Sequence, residues 1–208
     1  MTGREEHSVS TPRHGQVQNV KAAVLVGGGS RRMGRPKQAL RRNGLTLVEI
    51  AVAAVEGFAG RTVLAGGGRV PPSLDGYRRL PDPPEVPGPL GGILAAMRWD
   101  PEAVWIVVAC DMPLVRTQAV KWLVSKRRPG VLAVLPQIVP GTVEPLLAVY
   151  EPQMKDLLER RAAEGRLGFQ DLAESSGISC PRPPGRIRDA WMNVNTMEEF
   201  QNSAVIDV

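Results

Sequence analysis

A chain of 208 residues, 43% apolar and 23% charged, has the size and composition of one ordinary globular domain with a core of its own. A net charge of +5 and an isoelectric point near 9.7 admit a binder of nucleic acid or membrane surfaces, or an enzyme for small anions. Aromatics at 4% leave few platforms for stacking single strands, and the basic residues are spread along the chain, which favours small anions over nucleic acid.

In chain order, residues 1–20 are polar and aperiodic and lack the apolar core of a signal peptide. They are expected to be a frayed tail ahead of a single domain over 21–208. Both histidines, His7 and His14, fall in that tail, so none is left in the expected domain as general base, triad member or zinc ligand. Lys21 to Val26 reads as a strand that ends in a glycine run, and Thr46 to Phe58 as an amphipathic helix. Thr62 to Ala65 is a second strand, closed by Gly66, Gly67 and Gly68. LPDPPEVPGPLGG (Leu80 to Gly92) reads as a stiff Pro/Gly loop feeding a helix through Met97.

The continuous apolar run Val104 to Ala109 predicts a strand buried on both faces. It ends in Cys110-Asp111-Met112-Pro113, and a helix over Thr117 to Lys126 follows. Strands at Val131 to Leu135 and Leu146 to Tyr150, then helices over Pro152 to Glu164 and from Met197 onward, complete the pattern. Strands alternating with helices predict an α/β domain with a mostly parallel sheet, and ligands of such sheets sit beyond the carboxyl ends of the strands. GGGSRRMG, AGGGR and CDMP, which end three of these strands, should therefore meet on one face. Cys110 and Cys180 are far apart and not at metal-ligand spacing, which points to a reducing, cytoplasmic setting; no apolar run is long enough to span a bilayer.

Gly27, Gly28 and Gly29 after a buried strand let backbone N–H groups approach a phosphate. The run fails the dinucleotide fingerprint, whose third glycine would fall at Arg32. It also fails the P-loop, because Arg35 and Pro36 stand where Lys-Ser/Thr is required. Ser30 to Lys37 instead sets Arg31, Arg32, Arg35 and Lys37 in a glycine-bounded loop, either a solvated basic loop or a cradle for a triphosphate.

VLVGGGSRRMGRPKQAL resembles the signature of the molybdenum cofactor guanylyltransferase family. GPLGGILAAM (Gly88 to Met97), CDMP (Cys110 to Pro113) and NVNT (Asn193 to Thr196) resemble further family motifs in the same order, over residues 21–200 in all. The resemblance implies a Rossmann-like three-layer αβα sandwich of the nucleotide-diphospho-sugar transferase type. It also implies Mg²⁺-dependent transfer of GMP from GTP to molybdopterin or Mo-molybdopterin, with release of pyrophosphate and formation of molybdopterin guanine dinucleotide. Other cofactor-biosynthesis proteins and acceptor molybdoenzymes are the implied protein partners.

Residue by residue, the resemblance puts Leu25, Val26 and Gly27 at the nucleotide and Lys37 on its phosphates; Gly28 is a further nucleotide candidate, and Arg32 beside Lys37 can neutralise the phosphates. The resemblance puts Asp82 near the guanine, and Asp111 at the nucleotide and the metal. Asn195 is a second candidate for metal or acceptor. Three positions depart from the family pattern: Val26 for an alanine, AGGG where an asparagine often faces the nucleotide, and Met197 for a proline.

The residues read alone keep alternatives open. Asp111 fits a Mg²⁺ ligand, since that ion takes one or two carboxylates plus phosphates, but also fits a helix N-cap. Asp82 offers acceptors for guanine N1–H and its amine, or is a turn aspartate beside prolines. Thr196 with Glu199 forms a capping-box pattern, so NVNT serves a helix start, a ligand or both. A phosphate-monoester nucleophile needs no general base, which suits a domain without histidine. The rivals are a CTP-using relative or one with another phosphorylated acceptor, a non-catalytic nucleotide binder, and a nucleic-acid binder.

Overall fold

The computed structural model describes residues 19–27 and 40–203. The first strand, β1 (Val20–Leu25), is followed by a small hairpin of β2 (Arg41–Arg42) and β3 (Leu45–Thr46) that runs into α1 (Leu47–Val55). Next come β4 (Arg61–Ala65), β5 (Arg78–Leu80), α2 (Pro89–Trp99), β6 (Val104–Ala109) and α3 (Thr117–Val124). The C-terminal part holds β7 (Ala133–Val134), a hairpin of β8 (Gln137–Val139) and β9 (Thr142–Val143), β10 (Leu147–Tyr150) and α4 (Met154–Ala163). It closes with β11 (Ile178–Ser179), α5 (Gly185–Arg188) and α6 (Met197–Ser203).

Seven strands form one sheet in the order β11-β7-β10-β6-β1-β4-β5. β1 pairs in parallel with β4 and β6, β4 with β5, and β7 with β11; β10 alone runs antiparallel to both neighbours. The chain leaves β1 toward β4 and β5, then returns to β6 on its other side. The strand order thus reverses at β1, and such a switch point opens a crevice at the carboxyl ends of the strands.

Alternation along the strands sends side chains into two cores. Ala22, Val24, Ile106 and Val108 pack with Val48, Val52 and Val55 of α1 and Val120 and Leu123 of α3. Ala23, Val63, Trp105 and Val107 pack on the other face with Leu90, Ile93 and Leu94 of α2 and Met154 and Leu158 of α4. The result is the expected three-layer αβα sandwich with a mostly parallel sheet. Burial of all six β6 residues explains the unbroken apolar run Val104 to Ala109.

Several boundaries shift for physical reasons. β1 starts at Val20, and Asn19 O accepts from Val104 N at 2.9 Å, so Asn19 and Val20 belong to the folded body rather than to the tail. The rest of the expected tail, with His7 and His14, lies outside the described residues. Thr46 is the N-cap of α1 with a full capping box: its hydroxyl accepts from Glu49 N, and Glu49 accepts from Thr46 N at 2.7 Å.

The largest correction is at Leu80 to Gly92. Helix α2 already begins at Pro89, and Gly91 and Gly92 lie inside it, not in a loop. A Cβ on Gly91 would fall 2.2 Å from Val86 O, and one on Gly92 2.9 Å from a Leu25 methyl. Both glycines therefore permit close packing rather than a turn. Positive charge is partly consumed inside the fold: Arg98 pairs with Glu85 and Glu159, Arg116 with Asp189, Arg127 with Glu151, and buried Arg161 with Asp171.

Candidate nucleotide-binding cleft

A cleft of about 370 Å³ opens at the switch point. It is formed by Leu25, Val26 and Gly27 at the end of β1, Ala65 and Gly66 at the end of β4, Asp82 after β5, and Ala109, Cys110 and Asp111 at the end of β6. The first turn of α2 (Gly88, Pro89, Gly92) and Leu146 ahead of β10 complete its walls. The parallel strands deliver these ends to one edge of the sheet, and α2 turns its N-terminus, the positive end of its dipole, toward the same space.

Glycines shape the floor. Gly66, at φ +108°, lies so close to Val26 that a Cβ would be 2.3 Å from the Val26 carbonyl oxygen. The two strand ends are laced together: Val26 N donates to Ala65 O at 2.7 Å, Gly68 N to Val26 O at 2.9 Å, and Gly66 N to Leu80 O at 2.8 Å. Arg79 ties the loop from outside, donating to Gly66 O at 2.8 Å and Gly68 O at 2.7 Å. With its N–H groups at Gly66 and Gly68 spent inside the fold, AGGG acts as a backbone platform.

Asp82 reaches the cleft because β5 carries it to the carboxyl edge beside β4. Its carboxylate lies over the glycine shelf: Cβ atoms on Gly66 and Gly92 would come within 3.6 and 3.5 Å of its two oxygens. Burial by these walls raises its pKa above the ordinary carboxylate value, although the side chain stays open to the cleft.

Asp111 stands one residue past buried Cys110, whose N–H donates to Leu25 O at 3.1 Å. Asp111 is itself half-buried, and its Oδ1 is sealed from solvent. Asp111 O accepts from Val194 N at 2.9 Å, which brings the NVNT segment against the end of β6. Val194 is fully buried in a small cluster with Leu40 and Leu47.

The capping box at the start of α6 is present: Glu199 accepts from Asn195 N and Thr196 N, and Thr196 Oγ1 accepts from Glu199 N at 3.1 Å. Asn193 and Asn195 are exposed beside this joint, and neither lines the cleft. The N-cap of α3 is Arg116, so Asp111 does not cap that helix, the alternative its sequence position left open.

Of the residues singled out from sequence, Leu25, Val26, Gly27, Asp82 and Asp111 converge here. Gly28, Arg32 and Lys37 lie outside the described residues. Among the described residues no three His, Cys, Asp or Glu side chains gather into a metal cluster. Gly66 lies in the AGGGR strand end expected on this face, whereas sequence reading missed Gly92, Leu146 and Arg79 as parts of the site. Gly92 stood within a recognised motif; Arg79 carries no local signal, since its role comes from pairing β5 to β4.

The family model described as "MobA-like NTP transferase domain" matches residues 22–176. The chain belongs to this family. A Bacillus licheniformis protein named "Probable molybdenum cofactor guanylyltransferase" is 30% identical over 86% of this chain and 93% of its own length. A Bacillus subtilis protein of the same name is 28% identical over 85% of this chain and 90% of its own. The solved structure of "Molybdopterin-guanine dinucleotide biosynthesis protein A" from Archaeoglobus fulgidus is 26% identical, with a TM-score of 0.72 over 90% of this chain and 98% of that one. Membership of the MobA-like family makes this chain a nucleotidyltransferase and accounts for a cleft at the switch point. No helix of the described residues is long and apolar enough to cross a membrane.

Proposed function

We propose that this protein transfers GMP from GTP to molybdopterin, releasing pyrophosphate and forming molybdopterin guanine dinucleotide. The observation that carries the reading is the placement of Asp82 and Asp111 on the walls of one cleft above a glycine floor, in a MobA-like chain. Guanine offers two parallel donors, N1–H and the exocyclic amine, and the ionised Asp82 carboxylate offers two acceptors. Adenine lacks that pair of donors. The backbone after β1 and the glycine platform after β4 then flank the nucleotide from both sides.

The terminal phosphate of the acceptor is the nucleophile. Its oxygen bonds to the α-phosphorus of GTP as the α–β phosphoanhydride bond breaks, and pyrophosphate leaves with that electron pair. The nucleophile is already anionic near neutral pH, so no side chain has to take a proton. The protein's work is to align the two phosphates and to exclude water. Lys37 and Arg32 are assigned to neutralising the triphosphate. A charge pair near 4 Å at an effective dielectric of about 20 is worth on the order of 4 kcal/mol.

Mg²⁺ is the proposed cofactor, and Asp111 fits it: a hard carboxylate at the cleft wall, with one oxygen shielded from bulk water. One carboxylate plus substrate phosphates is the usual Mg²⁺ arrangement, and the ion supplies charge neutralisation at the phosphates. Asn195 is the proposed outer support, through the tie between Val194 and Asp111. The reading places the reaction in the cytoplasm, where GTP is made, with cofactor-biosynthesis proteins and molybdoenzymes as partners. Incubation with Mg²⁺, each of the four nucleoside triphosphates and molybdopterin tests it. Pyrophosphate and a guanine dinucleotide mass are expected; product from CTP alone would overturn the guanine assignment.

A further inference from the structure

Beyond Leu146, the carboxyl edge of the sheet carries another carboxylate that the nucleotide does not use. Glu144 follows β9 and precedes Pro145 and Leu146, the latter a wall of the cleft. Because β10 runs antiparallel to β6, with Leu147 opposite Val108, the chain ahead of β10 lies alongside the end of β6; Ala109 N donates to Leu146 O at 2.7 Å. Glu144 therefore lies on the side of Leu146 away from Asp82. The carboxyl end of β7 is its other neighbour, since Glu144 N donates to Pro136 O at 2.8 Å.

The backbone there is held at every step. The Gln170 amide brackets Val143, accepting from its N–H at 2.9 Å and donating to its carbonyl at 3.0 Å, and Tyr150 Oη donates to Pro145 O at 2.8 Å. The Glu144 side chain is half-buried, and among the described residues it makes no hydrogen bond or ion pair. A carboxylate that has given up part of its hydration without gaining a partner is costly, and the cost is relieved when a ligand brings N–H donors.

We propose that Glu144 reads the acceptor's ring: its carboxylate accepts the two parallel N–H donors on the 2-amino-4-oxo edge of the pterin. This rests on the acceptor assigned above. The acceptor's phosphate must reach the α-phosphorus beside Asp111, while Asp82 and the glycine shelf hold the guanine. The ring is then left on the Leu146 side, where Glu144 stands. Guanine and pterin carry the same donor edge, and the fold sets a carboxylate on each side of Asp111 to meet one ring each. Both carboxylates share one electrostatic mark, since burial raises the pKa of Glu144 as it does that of Asp82. A pair of donors returns such a group to its ionised form.

The test compares a synthetic pterin bearing a terminal phosphate with its counterpart in which the 2-amino group is replaced by oxygen. Wild-type protein is expected to prefer the amino compound by about tenfold or more in kcat/KM, the scale of a pair of hydrogen bonds to a charged group. Glu144→Gln should bring that preference to within about threefold while the calorimetric Kd for GTP stays unchanged. Glu144→Asp, which keeps the charge, should retain part of the preference and carries the test if the glutamine variant fails to fold. Undiminished discrimination in Glu144→Gln, or a loss of GTP affinity, would overturn the assignment of Glu144 alone. Wild-type protein that makes no dinucleotide from any pterin phosphate would overturn the acceptor reading, and this inference with it.

Discussion

Replacing Gly66 by alanine should damage both the fold and the cleft, and the structure sets the scale. Gly66 has φ +108°, a region that costs a residue with a side chain about 1–3 kcal/mol. The new Cβ would also stand 2.3 Å from Val26 O, whereas real Cβ atoms essentially never come closer than 3.0 Å, so something must move by roughly 0.7 Å. Val26 O cannot yield freely, because it accepts from Gly68 N at 2.9 Å while Val26 N donates to Ala65 O at 2.7 Å. Overpacking of this kind adds about 1–3 kcal/mol, for a total of about 4 kcal/mol. In a chain of this length each kcal/mol lowers Tm by roughly 2–4 °C, so a fall of about 8–16 °C is expected. Gly67→Ala is the internal control: a Cβ there meets nothing within 4 Å and the backbone is not left-handed, so its Tm should stay within about 2 °C of wild type. Thermal melts of the two variants side by side decide the matter. Equal melting temperatures would refute the claim that Gly66 is required by close approach and backbone angle.

Three further outcomes follow from the same geometry. Asp111→Asn should keep the fold yet slow Mg²⁺-dependent turnover by roughly a hundredfold, about 3 kcal/mol at 1.36 kcal/mol per factor of ten; near-wild-type rates at limiting Mg²⁺ would remove the metal from Asp111. Asp82→Asn should weaken GTP by roughly ten- to a hundredfold in calorimetry and leave ATP binding unaltered, since only guanine presents the donor pair that the carboxylate accepts; equal losses for both would show a general packing role. Asp171, hydrogen-bonded first by Arg161 and then by Arg166, has its carboxyl held well below the usual range, so the pair contributes stability above the unfolded pKa near 3.8 and loses it as pH falls further. Asp171→Asn leaves Arg161 buried without its counter-ion, for about 1–3 kcal/mol at neutral pH. The gap in Tm between variant and wild type should narrow toward pH 3, and a gap independent of pH would contradict the ion-pair account.

What the amino-acid order alone determined is local. A run of six apolar residues has only the interior to go to, which made β6 readable; Thr46 with Glu49 and Thr196 with Glu199 cap helices through side chains three residues apart. The parallel sheet followed from the alternation of elements, and with it the convergence of strand ends that brought Val26, Gly66 and Asp111 to one cleft. Tertiary structure decided what depends on partners distant in sequence. β5 is three residues of RRL with no apolar alternation, and only the waiting edge of β4 makes it a strand and lifts Asp82 to the cleft. Gly91 and Gly92 read as loop residues because glycine disfavours helices; inside α2 the Val86 carbonyl oxygen leaves no room for a Cβ on Gly91, and a Leu25 methyl crowds one on Gly92. Glu144 had no local mark either, since its place comes from β10 turning back against β6 and from a backbone tie to Pro136 beyond β7. Propensity and periodicity act over a few residues, whereas a ligand site is assembled from the ends of strands that meet only after the sheet has closed.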